Sequence, residues 1–234
     1  QRSLVGSEMC IRDREAQYLD YLREEFVARN VPVVFLGRRV SDPDFYCVYV
    51  DNYKSAYEEA EYLIGRGCKR IAYLVGDRNF PYSLERYQGY LDALRDHQIE
   101  IDESIVIQGD YSALSGYVAM ASLLSRGDSF DALLSANDHM AIGAIKALKE
   151  SNIQIPEKVA VTGFDNLFPS TLISPSLTTL SVPRYYMGYE AVSECVRRIE
   201  TPSAAVRHAV LESPIIIRSS SVPISDTVWD LTNW

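Results

Sequence analysis

Apolar residues in this chain form short continuous runs, and longer segments of helical periodicity separate the runs. Runs of this length, ended by Gly or polar residues, are typical of strands buried on both faces, as in a parallel sheet. The runs that predict strands are residues 31–36, 46–50, 70–75, 104–108, 131–135 and 159–163.

The segments between these runs carry apolar residues at the spacing of one helix face. Residues 141–148 show it most clearly, with Ala141, Ala144, Ile145 and Leu148 on one side, and residues 56–64 and 87–94 repeat the pattern. Strands followed in turn by helices predict an α/β fold with a doubly wound parallel sheet and right-handed crossovers.

Beyond Asp165 the alternation gives way to short extended pieces that prolines separate. Segments 177–182 and 214–218 are rich in β-branched and aliphatic residues, and a helical segment around 187–199 lies between them. This order indicates a chain that crosses to another lobe and returns. Residues 1–14 show no periodicity and predict a non-native or disordered leader before a helix that begins at Glu15, while 222–234 form a tail.

Composition narrows the classes of function. The 234 residues hold 23 Lys+Arg against 32 Asp+Glu, a formal charge of −9, so we do not expect this segment alone to bind DNA. Four scattered cysteines without a CxxC pair, and three histidines without HExxH, favour free thiols in a reducing cytoplasm over a zinc site. No apolar run approaches the ~20 residues of a membrane span, so no membrane partner is expected.

An aspartate follows each of five successive predicted strands. Ligands of open α/β sheets bind beyond the carboxyl ends of the strands, so these carboxylates predict a polar cleft at one rim. The alternative is that each aspartate caps the helix that follows, since Asp is a preferred N-cap residue. The five are Asp51, Asp77, Asp110, Asp138 and Asp165.

Signatures of enzymes and cofactors are missing from the sequence. It has no GxxxxGK[ST], GxGxxG or GxSxG motif, so we expect neither catalysis nor a cofactor. A cleft for a small polyol needs carboxylates, amides, a guanidinium and an aromatic face. The predicted strand ends offer these groups in Arg86, Asn137, Asp138, Asp165, Asn166, Phe80, Tyr111, Phe164 and Phe168.

Arg86 has two interpretations at this stage. Its guanidinium could donate two parallel hydrogen bonds to ligand oxygens, or it could form a salt bridge with the acidic helix surface. If it binds ligand, its removal is expected to weaken binding with little loss of fold.

The order and spacing of several motifs from about Glu15 to Ser221 resemble the effector-binding domain of the LacI/GalR transcriptional regulators. The motifs are Val31-Pro32-Val33-Val34-Phe35, Val50-Asp51-Asn52-Tyr53, Gly67-Cys68-Lys69-Arg70-Ile71-Ala72, Ser83-x-x-Arg86-x-x-Gly89-Tyr90, Gly109-Asp110-Tyr111-Ser112, Ala136-Asn137-Asp138-x-Met140-Ala141-x-Gly143-Ala144, Val161-x-Gly163-Phe164-Asp165-Asn166, Leu177-Thr178-Thr179 and Met187-Gly188.

The resemblance implies a two-lobed periplasmic-binding-protein-like fold of type I, with a small effector, a sugar or sugar derivative, between the lobes. Residues 15–50 with 182–207 would form a partial N-terminal lobe, and 51–181 with 208–221 the C-terminal effector-binding lobe. It also implies a cytoplasmic homodimer, usually a repressor, that contacts operator DNA only through a helix-turn-helix absent from this chain. The chain would then be an N-terminally truncated member of the family.

Residue by residue, the resemblance implies that Arg86 pairs ligand oxygens, that Asn137 and Asp165 bond hydroxyls or ring nitrogens, and that Tyr111 stacks on the ligand. Ser83 and Phe80 are further candidates. Where the family often has Asp-Arg after a strand, this chain has Gly37-Arg38-Arg39, and Arg38 is expected to line the cleft.

Two other functions are alternatives to this regulator. A solute-binding protein of a sugar transporter shares the fold, and an upstream signal peptide would favour it, whereas an upstream helix-turn-helix would favour the regulator. An enzyme on the same scaffold has no nucleophile, metal cluster or cofactor loop to support it.

Overall fold

The computed structural model describes residues 8–40, 42, 44–202 and 208–223, and these form two compact units. The first lies within Gln1–Val50 and Pro183–Leu211, and the second within Asp51–Val182 and Glu212–Trp234. The helices are α1 Glu8–Glu25, α2 Asn52–Gly65, α3 Pro81–Asp96, α4 Ala113–Ser125, α5 Asp138–Glu150, α6 Pro169–Leu172 and α7 Arg184–Glu200. The strands are β1 Val34–Leu36, β2 Tyr46–Val50, β3 Ile71–Val75, β4 Val106–Gln108, β5 Ala132–Ser135, β6 Ala160–Phe164, β7 Thr178–Leu180, β8 Ala209–Leu211 and β9 Ile215–Ile216.

The first unit is built on a parallel sheet of order β1-β2-β8. Its core joins Leu22 of α1 with Val40, Phe45 and Cys47, of which Cys47 lies on β2. Helix α7 packs on β1 and β2, and its Met187 and Ala191 are buried.

Two boundaries in the first unit differ from the sequence prediction. Helix α1 begins at Glu8, so part of the predicted leader 1–14 is helical, whereas residues 1–7 lie outside the described residues. Strand β8 pairs with β2, which places Ala209–Leu211 in the first unit although 208–221 were assigned to the second lobe. The strand was misassigned because its apolar alternation says nothing about which sheet it joins.

The second unit holds a six-stranded sheet of order β4-β3-β5-β6-β7-β9, parallel except for β9. Its central strands are completely buried, as their continuous apolar runs predict. Gly163 of β6 faces α5 and its neighbour Thr162 faces the opposite way, toward Glu59 of α2. Helices α2 and α5 therefore cover opposite faces of the sheet. The mixed α/β class with parallel sheets flanked by helices is confirmed.

Helices α4 and α5 approach each other closely through two glycines. A Cβ built on Gly143 would lie 1.9 Å from the carbonyl oxygen of Ala113, and one on Gly116 would lie 2.1 Å from that of Met140. Hydrogen atoms in place of side chains thus let the two backbones touch.

Ile145 of α5 is suited to test how tightly the core of the second unit is packed, since only 3% of its surface is exposed. We expect Ile145→Val to lower the free energy of unfolding by about 1 kcal/mol, because it removes one buried methylene. Urea denaturation measures the change. The matched control is Ile142→Val on the same helix, whose side chain is only partly buried and should lose less. Equal losses at the two positions would contradict this packing.

Val222 is buried, although it belongs to the predicted tail, of which 224–234 lie outside the described residues. Within the described ranges, no helix combines the length and apolar character needed to cross a membrane.

Candidate functional site

The carboxyl edge of the larger sheet carries most of the polar groups selected from the sequence. Asp77, Asp110, Asp138 and Asp165 follow strands β3, β4, β5 and β6 of this sheet. Asp51 does not belong to the set, because the preceding strand β2 lies in the smaller sheet. Its carboxylate caps α2 by accepting from the Lys54 amide at 2.9 Å, as the capping alternative predicts. The prediction of five carboxylates on one rim is therefore wrong for Asp51.

Two of the remaining aspartates stabilise turns. Asp77 Oδ1 accepts from the Asn79 amide at 2.9 Å, and Asp110 Oδ1 accepts from the Ser112 amide at 2.8 Å. Hydrogen bonds from Ser112 lower the pKa of Asp110 to about 2. Each carboxylate thus binds the backbone amide two residues further along the chain.

Asp165 occupies an unusual backbone conformation at the end of β6. Its φ is 113° and that of the next residue, Asn166, is 53°, so two successive non-glycine residues lie at positive φ. Such conformations cost free energy and persist where the surroundings hold them, often at binding sites. The amide of Asp165 still bonds the Leu180 carbonyl at 2.9 Å, which continues the sheet by one residue.

Arg86 lies on the buried side of α3, and only 8% of its surface is exposed. Its Nε donates to Asn52 Oδ1 at 2.9 Å and its Nη1 to the Ala136 carbonyl at 2.6 Å, while the guanidinium carbon lies 3.4 Å from the centre of the Phe164 ring. These bonds use two of the five N–H groups of a guanidinium, and no described residue accepts from the other three.

The burial of Arg86 changes two expectations. It excludes the surface salt bridge considered as an alternative. It also overturns the expectation that removing the side chain would leave the fold almost unaffected, because the truncation would leave a cavity and two buried acceptors without their donor.

Asn137 is the N-cap of α5. Its Oδ1 accepts from the Met140 amide at 3.0 Å, and its Nδ2 donates to the Tyr111 carbonyl at 3.0 Å. The side chain thereby fixes the backbone of Tyr111, whose φ of 69° also lies in the left-handed region. Asp138 does not cap the helix, since its carboxylate turns toward β7 and the loop after β6.

Three aromatic rings gather above the ends of β3 and β4. Phe80 stacks on Tyr82 with centroids 5.2 Å apart, and Tyr111 lies 6.4 Å and 5.9 Å from these two rings. The Tyr111 ring occupies the space over Gly76, where a Cβ would lie 2.0 Å from Cζ. A glycine is therefore needed at the end of β3 to seat this ring.

Tyr82 was not among the residues selected from the sequence. Burial raises its pKa and the Arg86 charge lowers it, and the Arg86 guanidinium carbon lies 5.7 Å from the centre of the Tyr82 ring. The signal that could have found it is its place in the same stretch as Phe80 and Ser83, just after a strand.

Two hydroxyls at this edge are buried without a hydrogen bond to a described residue. They are Ser83 Oγ and Tyr111 Oη. Burial raises the pKa of Tyr111 to about 12, which keeps the phenol neutral and able to donate. The two hydroxyls lie close together, since Ser83 lowers the pKa of Tyr111, but neither has a well-placed hydrogen-bond partner among the described residues. A polar ligand would supply that partner.

Arg38 lies in the first unit, whereas the other six selected residues lie in the second. Its guanidinium carbon is 5.0 Å from the centre of the Phe35 ring. Across the described part of the chain, no cluster of three or more His, Cys, Asp or Glu side chains could hold a metal ion.

Comparisons with known proteins agree on one family. A family model described as the periplasmic binding protein-like domain matches residues 60–221. The HTH-type transcriptional regulator AscG of Escherichia coli is 34% identical over 178 residues, which cover 76% of this chain and 53% of AscG. The HTH-type transcriptional regulator CelR of Thermobifida fusca is 34% identical over 193 residues, covering 82% and 57% of the two chains. The chain thus spans about half the length of the curated relatives it matches.

Two solved structures extend the comparison. A CelR–cellobiose complex superposes with a TM-score of 0.74 at 33% identity and covers 80% of this chain and 58% of the other. A LacI family transcriptional regulator from Enterococcus faecium with bound ribose gives a TM-score of 0.78 at 26% identity, covering 87% and 76%.

Proposed function

This chain belongs to the periplasmic binding protein-like domain family, in the branch of the LacI/GalR transcriptional regulators, and from this we propose that it is the effector-sensing domain of such a regulator. The effector in this proposal is a small sugar or sugar derivative. The relatives are regulators, which favours this function over a transporter solute-binding protein.

The arrangement at the carboxyl edge of the larger sheet carries this proposal. The Arg86 guanidinium would donate to ligand oxygens, the Asp165 carboxylate would accept from hydroxyls, and the Tyr111 ring would cover an apolar face of the sugar. The orphan hydroxyls of Ser83 and Tyr111 add donors at the same place.

The remaining selected residues have supporting roles in this proposal. Phe80 would widen the aromatic wall that it forms with Tyr82 and Tyr111. Asn137 would contact the ligand through the amide hydrogen that does not bond the Tyr111 carbonyl. Arg38, in the first unit, stays a candidate ligand contact in this proposal.

The whole regulator would act as a cytoplasmic homodimer and a repressor, with operator DNA bound through a helix-turn-helix. A ligand that binds one conformation better than another shifts the population toward it by its differential affinity. The sensing step requires no catalysis, metal or cofactor.

A binding screen tests the proposal. We expect a sugar from a panel including cellobiose and ribose, the sugars in the two structural relatives, to raise the melting temperature of the chain. Ligand at 100 times Kd stabilises the folded state by about 2.7 kcal/mol. A panel of neutral and phosphorylated sugars that gives no shift and no heat of binding would reject the sugar class.

Asp165→Asn tests the site itself. We expect isothermal titration calorimetry to show an affinity loss of about 10- to 100-fold for the sugar that binds, because hydrogen bonds to a charged group contribute about 1.5 to 3 kcal/mol. The matched control is Asp131→Asn at the opposite end of β5, whose carboxylate accepts from the Lys69 and Arg70 amides. Equal affinities of the Asp165 variant and the wild type would reject this site.

A further inference from the structure

The loop after β6, residues 165–167, has a hydrogen-bond partner for each of its three amides. Asp165 donates to the Leu180 carbonyl at 2.9 Å, Asn166 to Thr179 Oγ1 at 3.3 Å, and Leu167 to Asp138 Oδ2 at 2.6 Å. We call these residues the Asp165 loop. Its backbone is thus held at every step, although two of its residues have positive φ.

Asp138 connects two of these three bonds. Its Oδ2 accepts directly from Leu167, and its Oδ1 accepts from the Thr179 hydroxyl at 2.5 Å, which fixes the Thr179 oxygen as the acceptor for Asn166. One carboxylate therefore holds two successive amides, one directly and one through a hydroxyl.

The strand beside the carboxylate leaves room for it. Asp138 is completely buried, and a Cβ on Gly163 of β6 would lie 2.7 Å from its Oδ1. A buried charge is costly unless hydrogen bonds satisfy it, so a carboxylate at this position has a specific structural use.

The side chain of Asn166 is held from another direction. Arg218 Nη2 donates to Asn166 Oδ1 at 2.7 Å, and Asn166 Nδ2 donates to Ser181 Oγ at 3.1 Å. The side chain and the backbone of the Asp165 loop thus have separate anchors, and loss of Asp138 or Thr179 would release only the backbone.

We propose that Asp138, acting through Thr179 and the Leu167 amide, is a positioning residue that holds the Asp165 loop in its ligand-binding conformation. The inference rests on the proposed function, in which Asp165 contacts the sugar. It assigns a role in affinity to a carboxylate that is completely shielded from the surface.

The ionisation of Asp138 gives this arrangement a pH dependence. Burial raises its pKa to about 7, bonds from Thr179 and Leu167 lower it, Asp165 raises it and Arg218 lowers it. Glu59 of α2 is a further titratable neighbour, and burial raises the pKa of its carboxyl well above the usual value. Only the ionised carboxylate accepts on both oxygens, since protonation turns one oxygen into a donor.

Sugar affinity should therefore fall with decreasing pH. If binding requires the ionised form, affinity at pH 6 is about tenfold weaker than at pH 8, since only about a tenth of Asp138 is ionised at pH 6. Folding stability has the opposite dependence. Because the pKa is raised on folding, this group's stabilising contribution is complete below about pH 4 and is lost as the pH rises through about 7.

Substitutions of Thr179 separate the positioning role from general packing. Thr179→Val keeps the shape and removes the hydroxyl, whereas Thr179→Ser keeps the hydroxyl. The matched control is Thr162→Val, a completely buried position on β6 whose hydroxyl faces Glu59 of α2 and not the Asp165 loop.

Amide hydrogen exchange by NMR and calorimetric titration with cellobiose and ribose are the two readouts. For Thr179→Val we expect exchange at Asn166 and Leu167 to be at least about tenfold faster, and sugar affinity to be about tenfold weaker, the size of one lost hydrogen bond. Thr179→Ser should restore both, and Thr162→Val should change neither. Asp138→Asn should fold and lose the pH dependence of affinity.

The outcomes distinguish this inference from the proposed function. Faster loop exchange with unchanged affinity in Thr179→Val would overturn the positioning role, as would unchanged exchange. If the wild type binds neither sugar nor any other member of the panel, the proposed function fails. The exchange data then decide separately whether Asp138 and Thr179 hold the loop.

Discussion

Gly143→Ala should lower the free energy of unfolding by about 3 kcal/mol or more, the upper end of the range for overpacked positions. The added methyl would lie 1.9 Å from the Ala113 carbonyl oxygen and 2.8 Å from the Tyr117 amide nitrogen. Both are backbone atoms, which cannot move aside as a side-chain end can, so α4 and α5 would have to separate. Urea denaturation of the variant measures the loss.

Gly188→Ala is the matched control for this substitution. Gly188 lies within α7, and its added Cβ would meet no atom within 4 Å. We expect this variant to be more stable by about 0.5 to 1 kcal/mol, the intrinsic helix preference for Ala over Gly. If both variants were stabilised, the close approach of α4 and α5 would be wrong.

Arg86→Ala should reduce both stability and sugar affinity. The variant leaves Asn52 Oδ1 and the Ala136 carbonyl without their donor and removes the cation above Phe164. We expect the free energy of unfolding to fall by about 2 to 4 kcal/mol and the affinity for the sugar that binds to fall by at least about 100-fold. Denaturant titration gives the first quantity and calorimetry gives the second.

Arg95→Ala on the same helix serves as the comparison. Arg95 is exposed and pairs with Asp92 three residues earlier, and exposed pairs of this kind contribute about 0 to 1 kcal/mol. We expect unchanged sugar affinity for this variant. An Arg86 variant that keeps wild-type affinity would remove Arg86 from the ligand site, even if it is less stable.

The periodicity of the sequence was sufficient for the α/β class and for most elements of the second unit. Buried parallel strands read as continuous apolar runs. Strands β3 and β5 lie within the predicted segments, and β6 extends one residue beyond its segment, to Phe164. The predicted bounds of edge strands were less accurate. The predicted strand 104–108 begins as a 3-10 turn at Glu103–Ile105, because Asp102 caps that turn by accepting from the Ser104 amide.

Side-chain partners at the site could not be predicted from spacing. Asp138 and Asp165 look alike in sequence, since each follows a buried strand. One is a completely buried anchor and the other lies at positive φ. The difference arises from Thr179, more than a dozen residues beyond either strand end. Long-range hydrogen bonds of this kind depend on which strands become neighbours, and local pattern does not carry that information.

The last strand of the larger sheet sets the order in which the second unit can form during synthesis. Strand β9 pairs with β7, and Ser220 behind it bonds the Thr178 amide and the Val161 carbonyl, yet the chain passes through α7 and β8 of the first unit before reaching them. While the ribosome adds those residues at about 5 to 20 per second, the edge of β7 has no β9 beside it. An unpaired edge is a template for another chain, so the nascent protein is exposed to intermolecular strand pairing for several seconds before its own last strand arrives.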